Sequence, residues 1–72
     1  MNFNQRLKDI REDKDLNQTQ FGKILDMSQR KISRLETGVT ETTTEEIKKI
    51  CKNFNISADW LLGIIDEPKP IK

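Results

Sequence analysis

The stretch that decides the fold is residues 17–38, NQTQFGKILDMSQRKISRLETG, which contains two short helical patterns. Asn17 with a glutamine three residues later is typical of a capping box, and it predicts a helix over 18–25. Ser28 is a good N-cap for a second helix over 29–37. The apolar residues that would pack these two helices together are Phe21, Ile24, Leu25, Ile32 and Leu35.

Only about three residues join the two helices, and a link of that length favours a steep crossing rather than an antiparallel pair. A steep crossing brings the two backbones close together. Gly22 lies in the middle of the first helix, where its missing side chain permits such an approach. A glycine inside a helix destabilises it by about 1 kcal/mol relative to alanine. Gly38 is suited to the left-handed turn that ends the second helix. These signals together predict a helix-turn-helix.

The outer face of the second helix carries the candidate functional residues. At about 100° per residue, Arg30 and Arg34 lie nearly opposite the apolar pair Ile32 and Leu35. The segment 17–38 holds four basic and two acidic residues, whereas the whole chain has a net charge of only +1. Glutamine pairs with adenine and arginine with guanine in the major groove. We therefore predict that the base-reading residues are Gln29, Arg30, Ser33 and Arg34.

Three further helices are predicted outside this segment, and no period-two strand pattern is present. The first begins near Asn2, the fourth follows the capping box of Thr43 and Glu46, and a short fifth follows Ser57. The expected fold class is therefore all-α, with five helices and the helix-turn-helix at the second and third. We expect one domain over residues 1–65 and a flexible tail over 66–72.

Composition excludes most other classes of function. The chain has 72 residues, of which 33% are hydrophobic and 35% charged, with one cysteine and no histidine. A single cysteine cannot form a disulfide framework, and without histidine the chain lacks the usual general base and the commonest zinc ligand. We therefore predict no enzyme activity, no metal and no cofactor. We also expect no membrane span, no signal peptide, no small-molecule substrate and a cytoplasmic location.

Residues 16–38 resemble the helix-turn-helix of lambdoid phage repressors and Cro, the XRE family. Residues 6–11, RLKDIR, resemble the first helix of that family, and residues 57–63, SADWLLG, its fifth. The resemblance implies that Gln18 binds phosphate and braces Gln29. It also implies an ion pair between Arg11 and Glu36, and a fifth helix that contributes to a two-fold dimer.

The remaining assignments concern the DNA backbone and the dimer. We expect phosphate contacts from Asn17, Gln18, Ser28, Lys31 and Thr37. Trp60 remains open between the core and a dimer contact, whereas Ile64 and Ile65 have no evident use within the chain and are predicted at a subunit interface. The resemblance implies a transcriptional regulator, usually a repressor, bound as a homodimer to a palindromic operator. The alternative is a protein-binding module of the same fold, such as an antitoxin or a coregulator.

Overall fold

The computed structural model describes residues 2–66 of the chain. Within that range the chain is all-α, with no β-strand, as predicted. Within residues 2–66, no helix combines the length and the apolar character that a membrane span requires. The five helices are α1 (Phe3–Asp13), α2 (Gln18–Leu25), α3 (Gln29–Thr37), α4 (Thr44–Phe54) and α5 (Ala58–Leu61).

Each helix begins at a polar side chain that accepts a hydrogen bond from a backbone N–H three residues later. The capping boxes predicted at Asn17 and Thr43 are both complete. At α1 the Asn2 side chain accepts from the Gln5 N–H at 3.0 Å, but the Gln5 side chain donates to Asp9 Oδ1 at 3.1 Å, so no complete capping box forms there. The helix boundaries in this chain are therefore encoded locally.

The turn between α2 and α3 depends on two residues with unusual backbone roles. Asp26 takes the left-handed conformation with φ of 58°, which short polar side chains tolerate. The Met27 N–H then donates to the Gly22 carbonyl at 2.7 Å. A Cβ at Gly22 would collide with the Met27 carbonyl oxygen. Gly22 is thus required by the backbone of the turn itself, more than by the facing helix that the sequence suggested.

The core lies between all five helices. Phe21 of α2 stacks on Phe54 of α4 with ring centroids 5.2 Å apart. Ile24 was expected in the same apolar stripe, but it is 45% exposed. The buried face of α2 extends from Phe21 through Leu25 to Gly22, and Ile24 lies about 60° beyond its edge. The buried core side chains are Leu7, Ile10, Phe21, Leu25, Ile32, Leu35, Ile50, Ile56, Trp60 and Leu61.

The end of the described chain is attached to α1 by Arg6. Its Nη1 donates to the carbonyls of Trp60 at 2.6 Å and Ile65 at 2.7 Å, and its Nη2 donates to Asp66 Oδ1 at 2.9 Å. The guanidinium also lies 4.7 Å from the centre of the Trp60 ring. Trp60 is therefore a core residue, with 8% exposure, which leaves little of it for another subunit.

The predicted tail begins at this attachment. Asp66 is held by Arg6, and residues 67–72 lie outside the described part of the chain. Of the two isoleucines predicted at a subunit interface, Ile64 is 67% exposed. Ile65 is half-buried and packs against the core, so it has a use within the chain after all.

Candidate nucleic-acid interface

The outward side of α3 is presented to solvent as the sequence predicts. Ile32 and Leu35 are fully buried, and this fixes the rotation of the helix about its axis. Arg30 and Arg34 are consequently exposed, and neither forms a salt bridge with any residue in the range 2–66. Gln29 is exposed as well, whereas Ser33 is half-buried at the flank.

Gln18 and Gln29 are in direct contact where the N-termini of α2 and α3 meet. The Gln29 Nε2 donates to the Gln18 Oε1 at 2.6 Å. The Gln18 Nε2 in turn donates to the Glu36 Oε1 at 3.1 Å. The two amides are therefore linked to each other and to a carboxylate at the far end of α3, which limits the rotamers of both.

Glu36 also forms the ion pair with Arg11 that the family resemblance implies. Arg11 Nε lies 2.7 Å from Glu36 Oε2, and Arg11 Nη2 lies 3.1 Å from Oε1, so the contact is bidentate. The remaining Arg11 Nη1 donates to the Leu16 carbonyl at 3.0 Å. The hydrogen bond to Glu36 raises the pKa of Arg11, against the opposing effect of burial. This pair ties α1 to α3.

The predicted phosphate-binding side chains have internal hydrogen bonds. Asn17 Oδ1 accepts from the Gln20 N–H at 2.8 Å, and Ser28 Oγ accepts from the Lys31 N–H at 3.1 Å, so both act as N-caps. The Thr37 hydroxyl lies 2.9 Å from the Ser33 carbonyl and donates to it. Asn17, Ser28 and Thr37 are nevertheless exposed.

Lys31 has an acidic partner. Its Nζ lies 2.9 Å from Glu46 Oε2, and its side chain is 32% exposed. Glu46 therefore lies on the side of α4 that faces α3. Burial of Glu46 acts to raise its pKa, yet the hydrogen bonds from Lys31, the Thr43 backbone and Thr42 outweigh burial and lower it. Lys31 therefore joins α3 to α4.

A sequence profile of the helix-turn-helix family matches residues 7–61 of the chain. The chain belongs to the helix-turn-helix family. This family is one of DNA-binding regulators rather than enzymes, and the XRE resemblance inferred from the sequence is confirmed. Among residues 2–66 there is also no group of three or more acidic, cysteine or histidine side chains placed to hold a metal ion.

Two curated helix-turn-helix proteins are similar in sequence to this one. The antitoxin PezA of Streptococcus pneumoniae is 38% identical over 57 residues, covering 79% of this chain and 36% of its own length. The transcriptional activator BcrR of Enterococcus faecalis is 37% identical over 63 residues, covering 88% of this chain and 31% of its own length. The chain thus spans about a third of the length of these relatives.

A solved helix-turn-helix structure has the same fold. The P22 c2 repressor in complex with a synthetic operator superposes with a TM-score of 0.80 and 27% sequence identity. The match covers 88% of this chain and 96% of that one. The lambda-repressor-like architecture is therefore present over nearly the whole chain.

Sequence reasoning missed one contact that positions the helix-turn-helix. Asn4 Nδ2 donates to the Leu35 carbonyl at 2.6 Å, which holds the start of α1 against the end of α3. Asn4 and Gly38 also line an open cleft of about 330 Å³ beside the loop 40–42. An asparagine in the first turn of a helix carries no signal for a partner 31 positions away.

Proposed function

We propose that this chain binds duplex DNA sequence-specifically and regulates transcription, with α3 lying in the major groove. The observation that carries this proposal is the pair Arg30 and Arg34, exposed and without an acidic partner in the range 2–66, beside the braced amide of Gln29. Arginine and glutamine are the side chains that make bidentate contacts with base edges. Within a helix-turn-helix this face is the one that enters the groove.

The backbone of the DNA would be contacted around this face. The N–H groups at the start of α2, after Asn17 and Gln18, provide the positive end of a helix dipole. Ser28, Lys31 and Thr37 are the further candidates on α3 and its cap. Lys31 would have to share its ammonium between Glu46 and a phosphate, so we expect it to contribute less than a free lysine.

We further propose that the protein acts as a homodimer on a palindromic operator, in the cytoplasm and on the nucleoid. The exposed apolar side chains Leu62 and Ile64, after α5, support a subunit interface at this end of the domain. Two-fold symmetry would place two α3 helices about 34–36 Å apart, one turn of DNA. The likeness to an operator-bound repressor supports repression as the outcome.

The test is selection of binding sites from a random duplex library by the purified chain. We expect one enriched motif with two-fold symmetry. Arg34→Ala should lower discrimination at one position by about 1–3 kcal/mol, whereas Lys52→Ala, which removes an exposed cation of α4, should leave the motif unchanged. Equal weakening by Arg34→Ala on selected and random DNA would refute its assignment to a base.

The dimer is tested separately by sedimentation. Ile64→Ser removes an apolar side chain that is 67% exposed and leaves the Arg6 attachment in place. We expect weaker self-association and weaker operator binding. A sedimenting mass equal to that of the unaltered chain at every concentration would count against an interface at Ile64.

A second candidate is a protein-binding role of the antitoxin type, favoured by the identity of 38% to an antitoxin. This role does not exclude DNA binding, but it makes partner capture the main activity. Enrichment of a DNA motif by the chain alone favours the regulator. Failure to enrich any motif, with the fold intact by circular dichroism, favours the protein-binding module.

A further inference from the structure

A continuous line of hydrogen bonds runs from α1 to the first residue of the reading helix. Glu36 Oε1 accepts from both Arg11 Nη2 and Gln18 Nε2, each at 3.1 Å. Gln18 Oε1 then accepts from Gln29 Nε2 at 2.6 Å. The Glu36 side chain is only 3% exposed, so water does not compete for this carboxylate.

The direction of these bonds follows from the chemistry of Glu36. An ionised carboxylate accepts hydrogen bonds and cannot donate them. Gln18 must therefore turn its NH₂ group to Glu36, which leaves its oxygen facing Gln29. Gln29 must then turn its own NH₂ group to Gln18. We propose that Glu36 is a positioning residue that determines base specificity by fixing the amide polarity of Gln29.

The polarity of the Gln29 amide determines which of its atoms face the major groove, and this step rests on the proposed function. One N–H of the Gln29 amide is used by Gln18, so the oxygen and the second N–H remain for the groove. Adenine offers one donor and one acceptor at its major-groove edge, which this arrangement matches. Guanine offers acceptors only, and these oppose an amide oxygen.

Glu36→Gln tests the inference directly. Arg11 contacts both oxygens of Glu36, and its Nε contact at 2.7 Å is the shorter one. The amide oxygen of the new side chain would keep this contact, so its NH₂ group would take the place of Oε1, give up Arg11 Nη2, face Gln18 and reverse both glutamine amides. Gln29 would then present its NH₂ group to the groove. Gln29→Ala maps the base position that Gln29 reads. At that position we expect the preference for adenine over guanine to be smaller than that of the unaltered chain by about tenfold or more.

Moving the carboxylate from position 36 to position 18 should restore the adenine preference. In the double variant Gln18→Glu with Glu36→Gln, the carboxylate at position 18 again can only accept, so Gln29 regains its polarity. We expect the adenine preference to return although overall affinity falls, because the acid lies nearer the phosphates. Glu45→Gln is the matched control: it makes the same chemical change on an exposed side chain and should leave the preference unaltered.

The outcomes separate the inference from the proposed function. No enriched site for the unaltered chain overturns the proposed function. An enriched site whose adenine preference survives in a folded Glu36→Gln variant overturns only the role of Glu36. If that variant does not fold, Gln18→Met leaves the Arg11 ion pair intact and must also lose the preference; an unchanged adenine-to-guanine ratio overturns the inference.

Discussion

The two ends of α1 each attach another part of the molecule through an arginine, but in different ways. Arg11, near the C-terminal end, pairs with Glu36, whose side chain is 3% exposed. Arg6, near the N-terminal end, pairs with Asp66, whose side chain is 93% exposed, and its Nη1 donates to two backbone carbonyls. At one end the charge is balanced by a buried acid, and at the other by carbonyl dipoles and an aromatic ring.

Loss of an acid should therefore destabilise the fold more at one end of α1 than at the other. A buried charge that loses its partner has no water to replace it, whereas an exposed carboxylate is already solvated. The Lys31–Glu46 pair, with Glu46 16% exposed, stands between these cases. We therefore expect the free energy of unfolding to fall by amounts that follow the burial of the acid.

The largest effect is expected for Glu36→Ala. It leaves the Arg11 guanidinium, 13% exposed, without its acid and should lower the free energy of unfolding by about 3–5 kcal/mol. Urea unfolding followed by circular dichroism measures the change. Glu41→Ala, which removes an exposed acid from a loop, is the control and should have little effect. A loss for Glu36→Ala as small as that of the control would remove the distinction between the two ends.

Arg6→Met should come next, with a loss of about 2–3 kcal/mol. The methionine fills the space of the stem but loses the charged hydrogen bonds to the Trp60 and Ile65 carbonyls and the ring contact. Lys8→Met on the exposed side of the same helix is the control. Equal unfolding midpoints for the two variants would mean that the attachment contributes no stability.

Glu46→Gln should cost about 0.5–1 kcal/mol at neutral pH, because the amide oxygen keeps the capping contact while the NH₂ group cannot accept from Lys31, so the ion pair is lost. The pKa of Glu46 is lowered from its ordinary value of 4.5, so its contribution is complete above about that pH. It disappears as the pH falls through the lowered value. Unfolding measured from pH 7 to pH 2 should show the two proteins converge in acid; a constant difference would contradict the assignment.

The smallest effect is expected for Asp66→Asn, at less than about 0.5 kcal/mol, because its side chain is 93% exposed. Raising the salt concentration should abolish even this difference. A loss comparable to that of Glu36→Ala would show that the exposed carboxylate matters as much as the buried one. The comparison between the two ends would then have to be abandoned.

The sequence predicted the five helices and the helix-turn-helix because their signals are local. The caps at Asn17, Ser28 and Thr43 act within three residues, and Gly22 and Asp26 act within one turn. The attachments made by Arg6 and Lys31 join residues far apart in the chain, and nothing in their neighbourhood marks the partner. The exposure of Ile24 was missed because an eight-residue helix has too few apolar positions to define its buried edge.

The stacking of Arg6 on Trp60 gives the protein an internal optical reporter. The chain has one tryptophan and no tyrosine, so emission excited at wavelengths beyond the absorption of phenylalanine arises from the junction of α1 and α5 alone. Emission should shift to longer wavelength when this junction opens to water. A red shift that precedes the loss of helical ellipticity would mark the junction as the first part of the domain to separate.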